Sequence, residues 1–260
     1  MINRRIFAQA LLAGTLLGAD RLRLGIGTYT YHNLSIDEMI AQLKALAIKE
    51  IEMSRGEFMT FNNPPLEKFE SFRKKIDKAG IRCVSYYGPT IKNENDLDRA
   101  VQFAKLLGAT NISGDPVGAM LKQVDHRLTS EKMTFGIHNH FFPGKKFDYE
   151  SPEEILSALD GLSTTIGVTL DLGHIVSCGF DTMDAVRRLG PHLKLVHLKD
   201  IKAPGDEINV PLGQGMARIP EVMKELQRIH FSGLVAFEYE KEGNISQDVR
   251  YQIDYARTML

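Results

Sequence analysis

The chain has 260 residues, 43% of them hydrophobic and 25% charged, the proportions of one globular domain long enough to bury a full core. Its 32 basic and 33 acidic residues leave a net charge of −1, so no overall field draws in a phosphate backbone, and small molecules rather than nucleic acid are the expected partners. Cys83 and Cys178, the only cysteines, lack CxxC spacing, which excludes a disulfide framework or thiolate zinc site and leaves two free thiols.

Residues 1–19 differ from the rest: a paired Arg4-Arg5, an apolar run from Ile6 to Ala19, then Asp20. This is the order of a signal peptide, and Arg4-Arg5-Ile6-Phe7 resembles the twin-arginine export motif, whose substrates cross the membrane folded and often metal-loaded. The run is shorter than the roughly 18 apolar residues of a membrane span. A periplasmic or secreted protein without membrane contact after cleavage is therefore expected, with residues 20–260 as one domain. The alternative is a cytoplasmic protein with an amphipathic first helix.

From Asp20 onward, short β-branched or aromatic runs alternate with helical patterns. A strand over 22–31 precedes a helix capped by Ser35 with Glu38 three residues on, a capping box. A strand over 50–54 precedes a helix that opens on Pro65 and closes on Gly80. Strands follow at 81–88, 110–116, 133–140, 166–174, 193–200 and 234–240, each with a helical pattern behind it, the last helix starting at Asn244. Eight strand-then-helix units predict a single (β/α)8 TIM barrel, a fold of about 250 residues. An open doubly wound sheet is the alternative, but "GIGTYTYHN" lacks the third glycine of a phosphate loop and a helix directly behind it.

In such a barrel, chemistry sits at the C-terminal ends of the strands. Alternation places His138 and His140 on one face of the fifth strand, opposite Phe135 and Ile137. It likewise aims Asp171, His197 with Lys199, and Glu238 with Glu240 into the barrel mouth from the next three strands. Desolvating so many charged or imidazole groups at one place is costly, and a shared divalent cation offsets that cost. The expected ligands are His138, Asp171, His197 and Glu238, a mixed N/O set suited to Mn, Zn, Co or Fe more than to Mg. A metal-free polar network is the alternative. His32, Tyr29, Tyr31 and Glu52, at the ends of the first two strands, are candidate substrate contacts, although packing or an ion pair would also account for Tyr29, Tyr31 and Glu52. Asp200 points off the barrel axis and is expected either to orient a ligand histidine or to cap a turn. "PLGQG" at 211–215 reads equally as a lid or as an ordinary turn.

The stretches "GIHNH", "VTLDLGH", "LVHLKD", "VPLGQG" and "VAFEYE" resemble the xylose-isomerase-like TIM barrels, the sugar phosphate isomerase/epimerase family, over about residues 22–258 and in family order. Members hold a divalent metal with Glu, Asp, His and Glu from strands five to eight. The resemblance implies Asp171, His197 and Glu238 for the last three places. In the first place this chain departs from the family, with His138-Asn139-His140 where many members read Glu-Asn-His. Family epimerases use two metal-bound glutamates on opposite faces of the sugar, and a metal-bound imidazole has no lone pair left to act as a base. An asymmetric reaction then fits as well, with Glu238 or His140 as base and Lys199 or His174 as its partner.

The resemblance implies a metal-dependent sugar or keto-sugar isomerase or epimerase working through an enediolate. A lyase or hydrolase of oxidised (3-keto) glycosides is the alternative, since it shares the enolate step. A non-catalytic sugar-binding barrel and an abasic-site endonuclease are further readings, the last disfavoured by the absence of a basic rim. The expected partner is a small carbohydrate, and self-association into a homo-oligomer is left open.

Overall fold

The computed structural model describes residues 22–62, 66–243 and 245–260. The export-type segment, Pro65 and Asn244 lie outside the described residues. Eight strands, β1 Arg23–Gly27, β2 Glu50–Met53, β3 Arg82–Tyr87, β4 Asn111–Gly114, β5 Thr134–His138, β6 Ile166–Asp171, β7 Leu193–Leu198 and β8 Leu234–Phe237, pair in parallel and in chain order. The barrel closes where β8 pairs with β1, Leu24 opposite Val235 and Ile26 opposite Phe237. Around it stand α1 Ile36–Ala45, α2 Leu66–Lys78, α3 Glu94–Leu107, α4 Leu121–Glu131, α5 Pro152–Leu159, α6 Leu172–Ser177, α7 Thr182–Leu189, α8 Ile219–Arg228 and α9 Ser246–Arg257. This is the (β/α)8 barrel expected from the alternation of patterns.

Local chemistry sets the helix ends. Ser35 accepts from the Glu38 backbone N–H while the Glu38 carboxylate takes the Ser35 N–H, and Ser151 and Glu154 repeat the arrangement before α5. Outward-facing Phe135 and Ile137 are fully buried beneath the helices. An aromatic group of Phe58, Phe69, Phe72, Tyr86 and Phe103 fills the layer around α2 and α3.

The barrel interior is unusually polar. Asn111 Nδ2 donates to Ser85 Oγ (2.9 Å), Ser85 Oγ donates to Glu52 (2.7 Å), and the Ser113 and Thr169 hydroxyls lie 2.7 Å apart. Gly136 faces this network, where a Cβ would come within 2.2 Å of Thr169 Oγ1, so only glycine lets the two strands close over it. Leu195, Leu234 and Ala236 form a small separate apolar cluster with Val84.

The strands stop one to four residues earlier than their sequence pattern suggests, and for two of them the cause is visible. β1 ends at Gly27 because the Thr28 hydroxyl accepts the Ser54 N–H (2.8 Å) and the Ser54 hydroxyl accepts the Tyr29 N–H (2.9 Å). These side chains replace the ladder, and Thr28–Tyr31 turns into a 3₁₀ helix. β6 ends at Asp171, whose carboxylate accepts the His174 N–H (2.9 Å) and starts α6. His174 therefore stands on a helical turn, not on a strand.

Asp200 settles the two readings of the 211–215 segment in favour of a turn. Its carboxylate accepts the backbone N–H of Gly213 (2.9 Å), Gly215 (3.0 Å) and Ala217 (2.9 Å), pinning the segment to the end of β7. Asp200→Ala is expected to leave these donors without a partner and destabilise the fold by about 3–5 kcal/mol, read by urea unfolding; a loss below about 1 kcal/mol would show the segment is held by other contacts. Among the described residues, no helix is long and apolar enough to cross a membrane.

Candidate metal centre

His138 is the last residue of β5, Asp171 the last of β6, and His197 the penultimate residue of β7; Glu238 follows β8 directly. Each is at most 6% exposed. Asn139 holds β5 and β6 together beyond their last ladder pair: its Nδ2 donates to the Asp171 carbonyl (3.0 Å), and the Asp171 N–H donates to its Oδ1 (2.8 Å). That stitch presents His138 and Asp171 side by side.

His138, Asp171 and His197 bring one donor atom each within 4.8 Å of one another, and Glu238 adjoins this group through His197. His138 Nε2 lies 3.3 Å from His197 Nδ1 and 3.9 Å from Asp171 Oδ2, and His197 Nδ1 lies 3.5 Å from Asp171 Oδ2 and 3.3 Å from Glu238 Oε2. Bonds of about 2.1 Å at tetrahedral or octahedral angles put neighbouring donors roughly 3.0–3.4 Å apart. The donor set fits a divalent ion such as Mn, Zn, Co or Fe in both spacing and chemistry.

Beneath this set, Glu52 is fully buried and accepts from His197 Nε2–H at 2.5 Å while its other oxygen takes the Ser85 hydroxyl. A carboxylate behind a histidine fixes the orientation of its ring. Burial opposes charge on His197, but Glu238 and Glu52 outweigh it and hold its pKa well above the ordinary imidazole value, so a bound cation would displace the Nδ1 proton. Glu52→Gln is expected to weaken metal binding about tenfold to hundredfold, measured by chelator competition; unchanged affinity would mean that His197 is oriented by its packing alone.

Lys199, 1% exposed, places its ammonium 3.3 Å from Asp171 Oδ2, 3.5 Å from Glu238 Oε2 and 2.5 Å from Glu240 Oε1. Burial works against its charge, but Asp171, Glu240 and Glu238 outweigh burial and hold its pKa well above the ordinary lysine value. Burial likewise opposes ionisation of Asp171, yet His174 and Lys199 keep its carboxyl well below the usual range. For Glu238 burial prevails and its carboxyl is raised. Burial lowers His138 well below the ordinary imidazole value, with His197 adding to the effect, so the His138 lone pair stays available.

A cavity of about 210 Å3 opens above the cluster, lined by His138, His197, Glu238, His140, His174 and Tyr29 together with Ser54, Met59, Tyr87 and Glu240. His140 Nδ1 and His174 Nε2 meet at 3.1 Å. Burial lowers both, His174 to about 3, so the two rings form a neutral donor–acceptor pair.

Of the candidate substrate contacts, only Tyr29 reaches the cavity wall, its ring stacked on His32 at 4.9 Å. His32 turns away, its Nδ1 bonded to the Tyr29 carbonyl (2.9 Å), and Tyr31 is buried with no hydrogen-bond partner for its hydroxyl among the described residues. Lys199 reaches the site from behind the carboxylates. Sequence reasoning passed over Ser54 and Tyr87, yet each shares the inward face of its strand with Glu52 and Ser85, so the alternation that found His138 would have found them. Met59 lies in a loop and carries no periodic signal.

The model of the xylose isomerase-like TIM barrel family matches residues 40–259. The chain belongs to this family. Its fold is similar to that of a probable 3-DHS dehydratase from Bacillus anthracis, with TM-score 0.73 and 12% identity over 91% of this chain and 99% of that one. It is also similar to a D-psicose 3-epimerase from Clostridium cellulolyticum, with TM-score 0.67 and 13% identity over 92% and 99%. An uncharacterized protein of Mycobacterium bovis is 37% identical over 98 residues, 35% of each chain. The aligned stretch thus spans about a third of the curated relatives it matches.

Proposed function

We propose that this protein is a divalent-metal-dependent enzyme that moves a proton at a carbon beside a carbonyl of a sugar or keto-sugar, an isomerase or epimerase working through an enediolate. The observation that carries the reading is the cluster of His138 Nε2, Asp171 Oδ2 and His197 Nδ1 within 3.9 Å of one another, with Glu238 Oε2 3.3 Å from His197 Nδ1, at the base of one cavity. Epimerases among the structures of similar fold are consistent with it.

A bound divalent cation would polarise two adjacent substrate oxygens and make the neighbouring C–H more acidic. Glu238, its carboxyl raised by burial, is suited to take that proton and return it. The Lys199 ammonium, behind the same carboxylates, offsets their negative charge and favours their ionised forms. His140 and His174, hydrogen-bonded and neutral, can donate a hydrogen bond to a substrate oxygen or relay a proton, taking one at one nitrogen as another releases one.

A second reading is favoured by one feature, the imidazole at the first ligand position. With His138 there instead of a carboxylate, the four hold two carboxylates, and Asp171, which caps α6 and is held well below the usual range, is the weaker base, leaving Glu238 as the principal one. One base suffices for elimination: Glu238 takes the C–H proton, the C–O bond of the leaving group breaks, a C=C bond forms, and the same proton passes from Glu238 to the departing oxygen. The neutral His140–His174 pair relays it by taking a proton on one nitrogen as it releases one from another. A dehydratase has a similar fold.

Incubation of the metal-loaded protein with sugars and keto-glycosides in D2O, followed by NMR, separates the two. Deuterium at a substrate carbon with retained mass otherwise marks isomerisation or epimerisation, and an unsaturated product marks elimination. No exchange with any substrate would leave a sugar-binding barrel. Arg4-Arg5 and the apolar run after it support export, which a mature N-terminus near Asp20 would establish.

A further inference from the structure

A second cavity of about 200 Å3 adjoins the first and shares two of its walls, His138 and His140. Each cavity alone is smaller than the roughly 300 Å3 at which small-molecule sites begin, and the two together exceed it. The second lies between the loops that follow β4 and β5, at the C-terminal end of the barrel where ligands bind. Its walls include Asp115, Lys145, Phe147 and Tyr149.

Asp115 directly follows β4, and its Oδ1 is buried with no hydrogen bond from any described residue. A buried carboxylate oxygen without a donor is costly, and its neighbours do not supply one. The Tyr149 hydroxyl is committed to the Pro116 carbonyl (2.7 Å), the Lys145 ammonium sits over the Phe147 ring at 4.5 Å, and Lys146 is bound to Glu150 and Glu154. Burial raises the Asp115 carboxyl to about 7, opposed by Lys145 and reinforced by Asp148. Near neutral pH it therefore offers a hydroxyl group both an acceptor and, when protonated, a donor.

We infer that this cavity is a subsite for a second hydroxyl-bearing unit of the substrate, held by Asp115, so that the protein acts on a glycoside or disaccharide and not on a free monosaccharide. The inference rests on the proposed reading of the metal centre, and fixes the substrate class for it. Two carboxylates, Asp115 and Asp148, face a single wall cation not already in an ion pair among the described residues, Lys145, which disfavours a phosphate and favours a neutral polyol.

Isothermal titration of the Mn-loaded full chain with glucose, cellobiose, maltose and glucose 6-phosphate tests this. At least one disaccharide is expected to bind roughly tenfold or more tightly than glucose. Asp115→Ala is expected to abolish that advantage and leave glucose affinity unchanged. Thr90→Trp, which fills the cavity from an exposed wall position, should do the same without touching the carboxylate. If glucose binds as tightly as every disaccharide, if glucose 6-phosphate binds most tightly, or if both variants leave the disaccharide advantage intact, the subsite is refuted while the metal-centre reading stands. If none of these sugars binds the metal-loaded protein, the metal-centre reading falls and the subsite falls with it.

Discussion

Glu238→Gln is expected to lower turnover by about two to four orders of magnitude, the range by which a positioned acid or base accelerates proton transfer. The amide keeps the shape of the side chain and an oxygen that can face the cluster, so metal content should fall much less than activity. The same variant should slow exchange of the substrate C–H with solvent to a matching degree, because that step is the one assigned to the carboxylate. Full turnover with metal bound would remove Glu238 as the base and leave His140, which shares the cavity wall, as the candidate.

Asp171→Ala is expected to cost both metal and stability. The carboxylate is fully buried and faces His197, His174 and Lys199 within 3.6 Å while its second oxygen caps α6. Removing it strips one ligand and leaves the Lys199 ammonium buried beside only Glu238 and Glu240. Breaking a buried charge pair of this kind costs about 3–5 kcal/mol, read in denaturant unfolding. Asp171→Asn separates the two roles: its amide oxygen can still cap α6, so part of the stability should return while stoichiometric metal does not. Retention of metal by both variants would place the ion elsewhere.

The fold and the inward face of the clustered residues were legible because both follow from period and face. Eight repeats of a strand run and a helix run specify the closed barrel, and the two-residue alternation separates His138, Asp171, His197 and Glu238 from the apolar residues that pack outward. Alternation gives a side chain's face but not its depth. Glu52 shares the inward face, yet it lies one layer below the mouth, where it holds His197 rather than reaching the cavity.

His32, Tyr29 and Tyr31 were read as one strand end, but the crossed hydroxyl bonds of Thr28 and Ser54 bend that stretch into a 3₁₀ turn. The cap that Asp171 forms with the His174 N–H hides the start of α6 inside an apolar run in the same way, although an aspartate three residues ahead of the bonded N–H is a signal that local reading can use. Asp115 had no such signal. Its isolation from hydrogen-bond donors arises only when the loops after β4 and β5 fold over it.

The central claim, that His138, Asp171, His197 and Glu238 together hold one divalent ion, is tested most directly by diffraction from crystals of the protein grown with Mn2+, recorded for anomalous scattering. The account predicts one strong peak within about 2.0–2.3 Å of His138 Nε2, Asp171 Oδ2, His197 Nδ1 and a Glu238 carboxylate oxygen. No peak among these atoms, with the Lys199 ammonium as the only cation against Asp171 and Glu238, would contradict it.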